Sequence, residues 1–329
     1  MGMGATNTLD RVAARLGLVQ GVSIEFQRSL DVANGGVLFA LPALLACGLL
    51  RHTGKHFSLP PGYYRLDSIF VLLALMALAR LKHIESLRYC APGEWGKLLG
   101  LDRVPEVRTS REKFKLLSRA EQPTKWSADL CRDWMEAAPD EASMLYVDGH
   151  IRVYYGNQTK LPPHYVSRQR LCLRATADYW VNAMDGQPFF MISKAIDPGL
   201  IKVLEGDILP RLEKEVPNQP TADMLETDPY LHRFTLIFDR EGYSPGLLLR
   251  TKKRRIACLT YHKFPGEKWA DEEFHSCAVT LGAGEVIHMD LAERGTYLGS
   301  KPAERLRVRE IRKRKHPFSP PTIGAIWCR

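Results

Sequence analysis

The spacing of apolar residues predicts a helical first part of the chain and a β-rich second part. Before residue 121, apolar side chains recur every three or four positions, most clearly in 9–16, 66–87 and 92–99, which is typical of amphipathic helices. Thr109 and Glu112 have the spacing of a capping box, which predicts a helix start. We expect residues 1–140 to be mainly helical. The pattern leaves open whether they form a plain bundle or place one helix in a DNA groove.

Residues 141–264 have the pattern of an α/β domain. Strands rich in β-branched and aromatic residues are predicted over 143–156, 170–182, 188–196, 234–239 and 255–264, with an Asp185-Gly186 turn between the second and third. Helices are predicted after an Asp197 N-cap and over 244–253, because their apolar positions follow the helical period. Three strands, a helix, a strand, a helix and a strand predict one mixed sheet.

The remainder of the chain divides into a β-rich region, 265–311, and a basic, proline-rich tail, 312–329. Short β segments are predicted at 278–291 and 305–311. The last 14 residues contain three prolines and no apolar period, so we expect them to form no packed element.

Two apolar runs in the first part raise the alternative of a membrane hairpin. Residues 36–50 are 15 uncharged positions interrupted by Pro42 and Gly48, and 69–79 are 11 positions. Both are shorter than the roughly 18–20 residues that cross a bilayer. We therefore expect buried helices and no membrane partner.

The net charge of the chain favours a polyanionic partner. The 329 residues carry 46 Lys and Arg against 37 Asp and Glu, a formal net charge of +9, which suits a partner such as DNA. The basic runs 250–255 and 305–315 predict phosphate contacts by Lys252, Lys253, Arg254, Arg255, Arg312, Lys313, Arg314 and Lys315. A charged face that only contacts solvent is the alternative. The seven scattered cysteines favour a reducing compartment.

Asp148 and Asp239 each follow a short apolar run and are the candidate chemical residues. Each also has a structural interpretation, since Asp148-Gly149 is a hairpin-turn signal and Asp239 precedes a predicted helix that it can cap. Their strands can be neighbours in a mixed sheet, which would bring two carboxylates together. A Mg²⁺ or Mn²⁺ ion relieves the repulsion of such a pair, because these ions prefer oxygen ligands.

The residues around both acids resemble bacterial insertion-sequence transposases that carry a DDE catalytic core. The resemblance rests mainly on YVDGHIRVYYG, IFDREGYSP and RRIACLTYHKFP and covers residues 145–310. It implies a ribonuclease-H-like fold in which Asp148 and Asp239 are catalytic and bind Mg²⁺ or Mn²⁺. It also implies that DNA strands are cut and joined by two-metal phosphoryl transfer, in a cytoplasmic, nucleoid-associated protein. A homodimer is one assembly open to such a protein.

The resemblance further implies a third acid, a Glu on a helix after the β-rich insertion. No helical pattern follows residue 312. Glu293, Glu304 and Glu310 lie in or beside the β-region, where an acid among basic residues is expected to be an ion-pair partner. We therefore expect a shortened copy without the third acid. The alternative function is a non-catalytic DNA-binding remnant or regulator.

A zinc site is a weaker alternative in the same region. Cys258, His262, His275 and Cys277 offer suitable ligand types, but their spacing matches no common zinc motif. We expect Cys258 to be a small buried core residue instead.

Overall fold

The computed structural model of the chain describes residues 3–30, 32–119, 121–156, 159–166, 169–264, 266–281, 284–299 and 305–314, and the backbone of 324–328. By its internal contacts the chain divides into two units, Met1–Leu130 and Cys131–Arg329. The boundary falls inside a helix. The four-part division derived above from the sequence stays a prediction.

All regular elements of the first unit are helices in the residues that the structure describes. Its α-helices are α1 Thr8–Arg15, α2 Leu41–Ala46, α3 Thr53–His56, α4 Leu66–Leu78, α5 Pro92–Leu98, α6 Val107–Leu117 and the start of α7 Gln122–Ala137. Two 3₁₀ segments, Gly35–Ala40 and Ile84–Tyr89, complete it.

Three local predictions for this unit are corrected. The long helix predicted over 66–87 ends at Leu78. Helix α6 begins at Val107, whose side chain is buried, so packing rather than a Thr109 cap sets its start. Helix α4 is buried as expected, with Leu72 fully inaccessible, whereas α2 contains no buried residue. No described helix is long and apolar enough to cross a membrane.

The second unit combines helices with a large sheet. Its helices after α7 are α8 Pro139–Ala142, α9 Leu200–Val203, α10 Leu209–Glu215, α11 Ala222–Thr227 and α12 Pro245–Lys253. A π-helical turn, Leu204–Ile208, joins α9 to α10. Its strands are β1 Met144–Val153, β2 Pro163–Val166, β3 Leu171–Ala183, β4 Pro188–Lys194, β5 Thr235–Phe238, β6 Ala257–Tyr261, β7 His275–Thr280, β8 Val286–Leu298, β9 Leu306–Lys313 and β10 Gly324–Cys328.

The strand order confirms a mixed α/β sheet. The order is β2-β3-β1-β5-β6-β10-β9-β8-β7, and β4 pairs with β3. Strands β1, β5 and β6 run parallel, and the remaining pairs are antiparallel. The strands that precede and contain the two candidate acids, β5 and β1, are direct neighbours, as the sequence pattern allowed.

Strand β10 contradicts the expectation that the last 14 residues form no element. It pairs with β6 on one side and β9 on the other. The hydrogen-bonding groups of two neighbouring strand edges can hold a segment as a strand without apolar alternation in its own sequence.

The two faces of the sheet differ in cover. Val147 and Phe238 lie on the face that packs against the apolar residues of α9, α10 and α12, in one continuous core. Because side chains alternate along a strand, Tyr146 and Asp148 lie on the other face. There Tyr146 is 41% exposed. The two candidate acids are therefore on the less covered side of the sheet.

Candidate active site

Asp148 lies within a strand rather than in a turn. Strand β1 continues through Asp148 to Val153, and Asp148 is opposite Trp180 of β3. The hairpin-turn interpretation of Asp148-Gly149 is therefore wrong. Gly149 has another role, since a Cβ atom there would lie 3.2 Å from the ring of Tyr179. The glycine makes room for that ring across the sheet.

Asp239 is the first residue beyond β5 and lies beside Asp148. The parallel register pairs Val147 with Phe238, and the next residues along the two strands are the two acids. Asp239 keeps an extended backbone, with φ −75° and ψ −178°, so its side chain lies on the same face as that of Asp148. Neighbouring strands are about 4.8 Å apart. The two carboxylates thus lie at adjacent positions on one face.

Asp239 is a cap, but of a short 3₁₀ turn and not of the predicted helix, whose N-cap is Ser244. Asp239 Oδ1 accepts a hydrogen bond of 2.9 Å from the backbone N–H of Glu241 and so caps the 3₁₀ turn Arg240–Gly242. The hydroxyl of Thr260 donates to the backbone carbonyl of Asp239 at 3.0 Å. These bonds fix the orientation of the carboxylate without neutralising it. A cap and a metal ligand are therefore compatible roles for this residue.

Two further acids belong to the same site, and the sequence analysis did not assign them chemistry. Asp197, expected to be a helix N-cap, instead accepts hydrogen bonds from the Tyr179 hydroxyl and, at 2.8 Å, from Gly199 N–H, while α9 begins later, at Leu200. Burial raises the pKa of Glu241, and the negative charges of Asp239, Asp197 and Asp148 raise it further. The charges of all three aspartates therefore reach Glu241. The Asp-Arg-Glu spacing was the available signal for Glu241.

The four carboxylates lie beside a cavity, and no described cationic side chain forms an ion pair with them. A cavity of about 400 Å³ is lined by Tyr179, Asp197 and Glu241, among others. Within the described part of the chain, none of the four carboxylates is in an ion pair. Carboxylates in this condition favour a cation from solution.

The donor set fits a magnesium ion held partly by its substrate. Among the described residues, no group of three or more His, Cys, Asp or Glu side chains is arranged to hold a metal ion. Mg²⁺ commonly takes only one or two carboxylates and completes its shell with water and substrate phosphates. Asp148 and Asp239 supply that number of oxygen ligands on one face.

Glu310 and Glu293 lie away from this cluster. In the register, Phe238 aligns with Thr260, then with Ile326 and Glu310, so Glu310 lies on the face opposite Asp239. It is buried and paired with Arg312 Nε at 2.8 Å.

Glu293 lies on β8, four strands from β5, which is about 19 Å at the usual strand spacing. It forms two hydrogen bonds of 2.6 Å with Arg309. The ion-pair expectation is confirmed for Glu293 and Glu310, although Glu310 is buried rather than solvated. Glu304 lies outside the described residues.

The arginines of the first basic run are held by intramolecular contacts. Arg254 forms a bidentate pair with Glu213. Arg255 donates to the carbonyls of Leu225 and Pro229, at 2.8 Å each, and to that of Asp228. Lys252 and Lys253 are exposed. The predicted phosphate contacts of this run therefore differ in how accessible their charges are.

The second basic run shows the same division. Arg312 is buried against Glu310 and also donates to the carbonyl of Glu267 at 2.7 Å. Arg314 donates to the carbonyl of Asp271. Lys313 is exposed, and Lys315 lies outside the described residues. DNA binding by these residues stays a prediction.

The zinc alternative has no support in the described residues. Cys258 is fully buried, as expected, with its sulfur 3.3 Å from the Thr251 hydroxyl. His262 lies beside Glu310, at 3.4 Å. Neither Cys258 nor His262 belongs to a group of side chains arranged to bind a metal ion.

The fold and site define a mixed α/β protein with a carboxylate cluster at the ends of its parallel strands, in a chain of formal net charge +9. The chain belongs to a family of transposases: a family model described as "Transposase protein" matches residues 2–319. No curated protein matches the chain. Transposases act on DNA, so family membership implies a DNA partner.

Proposed function

We propose that this protein is a DDE-type transposase with a ribonuclease-H-like core. It cuts and joins DNA strands and uses Asp148 and Asp239 as its catalytic acids. The observation that carries the proposal is the parallel register of Val147 with Phe238, which makes the two acids neighbours on one face. The mixed sheet, with three antiparallel strands followed by two parallel strands, supports the fold assignment. An insertion-sequence origin and a nucleoid-associated location belong to the same proposal.

In this mechanism Asp148 and Asp239 hold Mg²⁺ or Mn²⁺. When bound, the ion supplies Lewis-acid stabilisation of phosphate charge and lowers the pKa of a bound water or hydroxyl. Asp239 is preoriented by its bond from Glu241 N–H, and the carboxylate of Asp148 has no hydrogen bond or ion pair among the described residues. The carboxylate oxygens of Asp148 and Asp239 are therefore accessible to a ligand. Tyr179 holds Asp197 at the rim of the adjoining cavity.

A strand-cleavage assay on the full chain tests the proposal. Duplex DNA is incubated with Mg²⁺ or Mn²⁺ and with wild type, Asp148→Asn or Asp239→Asn. Each substitution removes a ligand charge at nearly constant shape, so we expect at least about a 100-fold loss of cleavage rate with DNA binding retained. Asp185→Asn is the matched control, because Asp185 is an exposed turn acid whose Oδ1 accepts from Gln187 N–H. Its rate should match that of wild type.

The second candidate function is a non-catalytic DNA-binding regulator. It is favoured by one observation, that no group of three metal-binding side chains occurs among the described residues. Wild-type protein that binds DNA but cleaves none with either ion would support this function and contradict the catalytic proposal. Cleavage that survives both Asp substitutions would contradict the assignment of the site.

A further inference from the structure

A second, basic groove lies beside strands β8 and β9. It encloses about 450 Å³ and is lined by Tyr230, Lys252, Glu293, Gly295, Arg307, Val308 and Arg309. Three cations and one carboxylate give this lining a net charge of +2. We call it the β8–β9 groove.

The β8–β9 groove is separate from the carboxylate cluster. Tyr230 precedes β5 and Asp239 follows it, and a four-residue strand is about 13 Å long at the usual rise. Lys252 lies in the last turn of α12, just before β6 begins. Tyr230 and Lys252 thus lie where the parallel strands start, and the acids lie where they end; Glu293 is four strands from β5.

The groove brings together basic runs that are distant in sequence. Lys252 belongs to the run 250–255, and Arg307 and Arg309 belong to 305–315. Arg307 and Arg309 alternate along β9 and so lie on one face, with Gly295 opposite Arg309. A Cβ atom on Gly295 would lie 3.5 Å from Nη2 of Arg307, which locates that guanidinium over the glycine.

The three cations differ in availability. Lys252 and Arg307 are exposed, and the side chain of neither makes a hydrogen bond or an ion pair among the described residues. Arg309 is held by both oxygens of Glu293, and this bond raises the pKa of Arg309 and lowers that of Glu293. Two charges are therefore accessible, and a third is neutralised by one removable carboxylate.

Two exposed tyrosines lie beside these charges, and Arg255 holds the segment that precedes one of the tyrosines. Tyr230 is 70% exposed and Tyr297, across from Arg307 in the ladder, is 62% exposed. Arg255 donates to the carbonyls of Leu225, Asp228 and Pro229, which holds the segment before Tyr230. Arg255 thus positions the groove rim from within.

We propose that the β8–β9 groove binds the phosphodiester backbone of duplex DNA at a distance from the scissile phosphate. Lys252 and Arg307 contact phosphate oxygens, because exposed cations without a protein partner neutralise DNA phosphates and release their counterions. The identity of the ligand as DNA rests on the proposed function. The location and the residues do not.

The salt dependence of DNA binding tests this inference on the full chain. Affinity for one fluorescent duplex is measured by anisotropy at several NaCl concentrations without divalent ions. The slope of log K against log salt is negative, and each lost phosphate contact reduces its magnitude by about 0.9. We expect that decrease for Lys252→Ala and for Arg307→Ala, and about twice as much for the double variant. Lys214→Ala is the matched control, since Lys214 is an exposed lysine that lies outside both basic runs and does not line the groove.

Removal of Glu293 gives an effect of opposite sign. Glu293→Gln removes the negative charge that neutralises Arg309, so we expect the salt dependence to become steeper and DNA binding to become tighter. A purely structural role of the Glu293–Arg309 pair predicts no gain. Thermal unfolding of each variant shows whether the fold is retained.

Several results would overturn the inference. These are wild-type slopes for both groove variants, an equal decrease for Lys214→Ala, or losses limited to single-stranded DNA of the same length. Variants that lose binding to a polyglutamate peptide but keep DNA binding would identify an acidic protein partner instead. The two proposals fail separately, because the salt slopes of the groove variants are measured without divalent ions and report DNA contact alone. Asp148→Asn should keep the wild-type salt slope and lose only the cleavage that is measured with Mg²⁺.

Discussion

Asp102 in the first unit and Glu241 in the second are acids in opposite electrostatic surroundings. Asp102 Oδ2 accepts from Arg11 Nε at 2.9 Å and from the N–H groups of Thr6 and Asn7, at 3.0 and 3.1 Å, while the Tyr63 hydroxyl donates to Oδ1 at 2.6 Å. Burial alone would raise the pKa of Asp102, but these hydrogen bonds, first of all that from Arg11, lower it well below its ordinary value.

Glu241 shows the reverse balance. Burial raises its pKa, and the charges of Asp239, Asp197 and Asp148 act in the same direction. Lys263 opposes this effect only weakly. Asp102 is thus neutralised by Arg11 of the same chain. The carboxylates around Glu241 have no ion-pair partner among the described residues, so a cation from solution is needed to neutralise them. This difference separates a carboxylate that holds the fold together from carboxylates available for chemistry.

The largest expected effect is on stability, through Asp102. Asp102→Ala leaves the largely buried Arg11 without its partner, which costs about 3–5 kcal/mol when such a pair is broken. Asp148→Ala should cost less than about 1 kcal/mol, since this acid has no ion-pair partner to lose, and Asp239→Ala about 0.5–2 kcal/mol, because it also removes a cap. Urea unfolding of the full chain measures all three. Asp10→Ala, an exposed acid near Asp102, serves as the control, and a cost below 1 kcal/mol for Asp102→Ala would contradict the comparison.

The next effect is stabilisation by magnesium. An ion that binds only the folded state at about 100 times its Kd adds about 2.7 kcal/mol. We therefore expect Mg²⁺ to raise the unfolding temperature of wild type, EDTA to reverse the shift, and Asp239→Asn to abolish it. Differential scanning calorimetry provides the measurement. An equal shift of the unfolding temperature in wild type and Asp239→Asn would show that the ion does not bind at this site.

The pH dependence of stability sharpens the same contrast. The folded-state pKa of Asp102 is lowered, so its contribution is complete above the unfolded pKa of about 3.9 and is lost as the pH falls toward the folded value. Below pH 4 this group adds a slope of up to about 1.4 kcal/mol per pH unit. We expect Asp102→Asn to be less stable at pH 7 and to have a shallower slope between pH 4 and 2. Parallel wild-type and variant curves from urea unfolding would show that Asp102 does not carry the dependence.

The smallest expected effect comes from Glu241. Glu241→Gln removes one of four mutually repelling charges, so in EDTA it should stabilise the protein by about 0.2–1 kcal/mol, the range of exposed charge interactions. The gain should shrink in high salt, which screens such charges. Glu136→Gln, an exposed acid on α7, should show no comparable salt-dependent gain. Destabilisation by Glu241→Gln would mean that its carboxylate has a structural partner.

Sequence patterns predicted much of the second unit but not the assignment of its charges. The strand that ends before Asp239 and the helix at 244–253 were predicted because their apolar periods are local. Asp148-Gly149 remained ambiguous, since the same dipeptide suits a turn or a strand; the Tyr179 ring across from Gly149 resolves it. Within the run 250–255, no local signal separates Lys252, which lines a groove, from Arg254, which pairs with Glu213.

The sequence by itself determined the kinds of element and the basic character of the protein, because apolar period and net charge are properties of neighbouring residues and of composition. Only the tertiary structure decided which charges are neutralised. Arg11 meets Asp102 across 91 positions and Arg255 meets Leu225 across 30, whereas Asp148 and Asp239 become neighbours through the register of β1 and β5. Such partners are brought together by strand order and packing, which depend on contacts between distant residues.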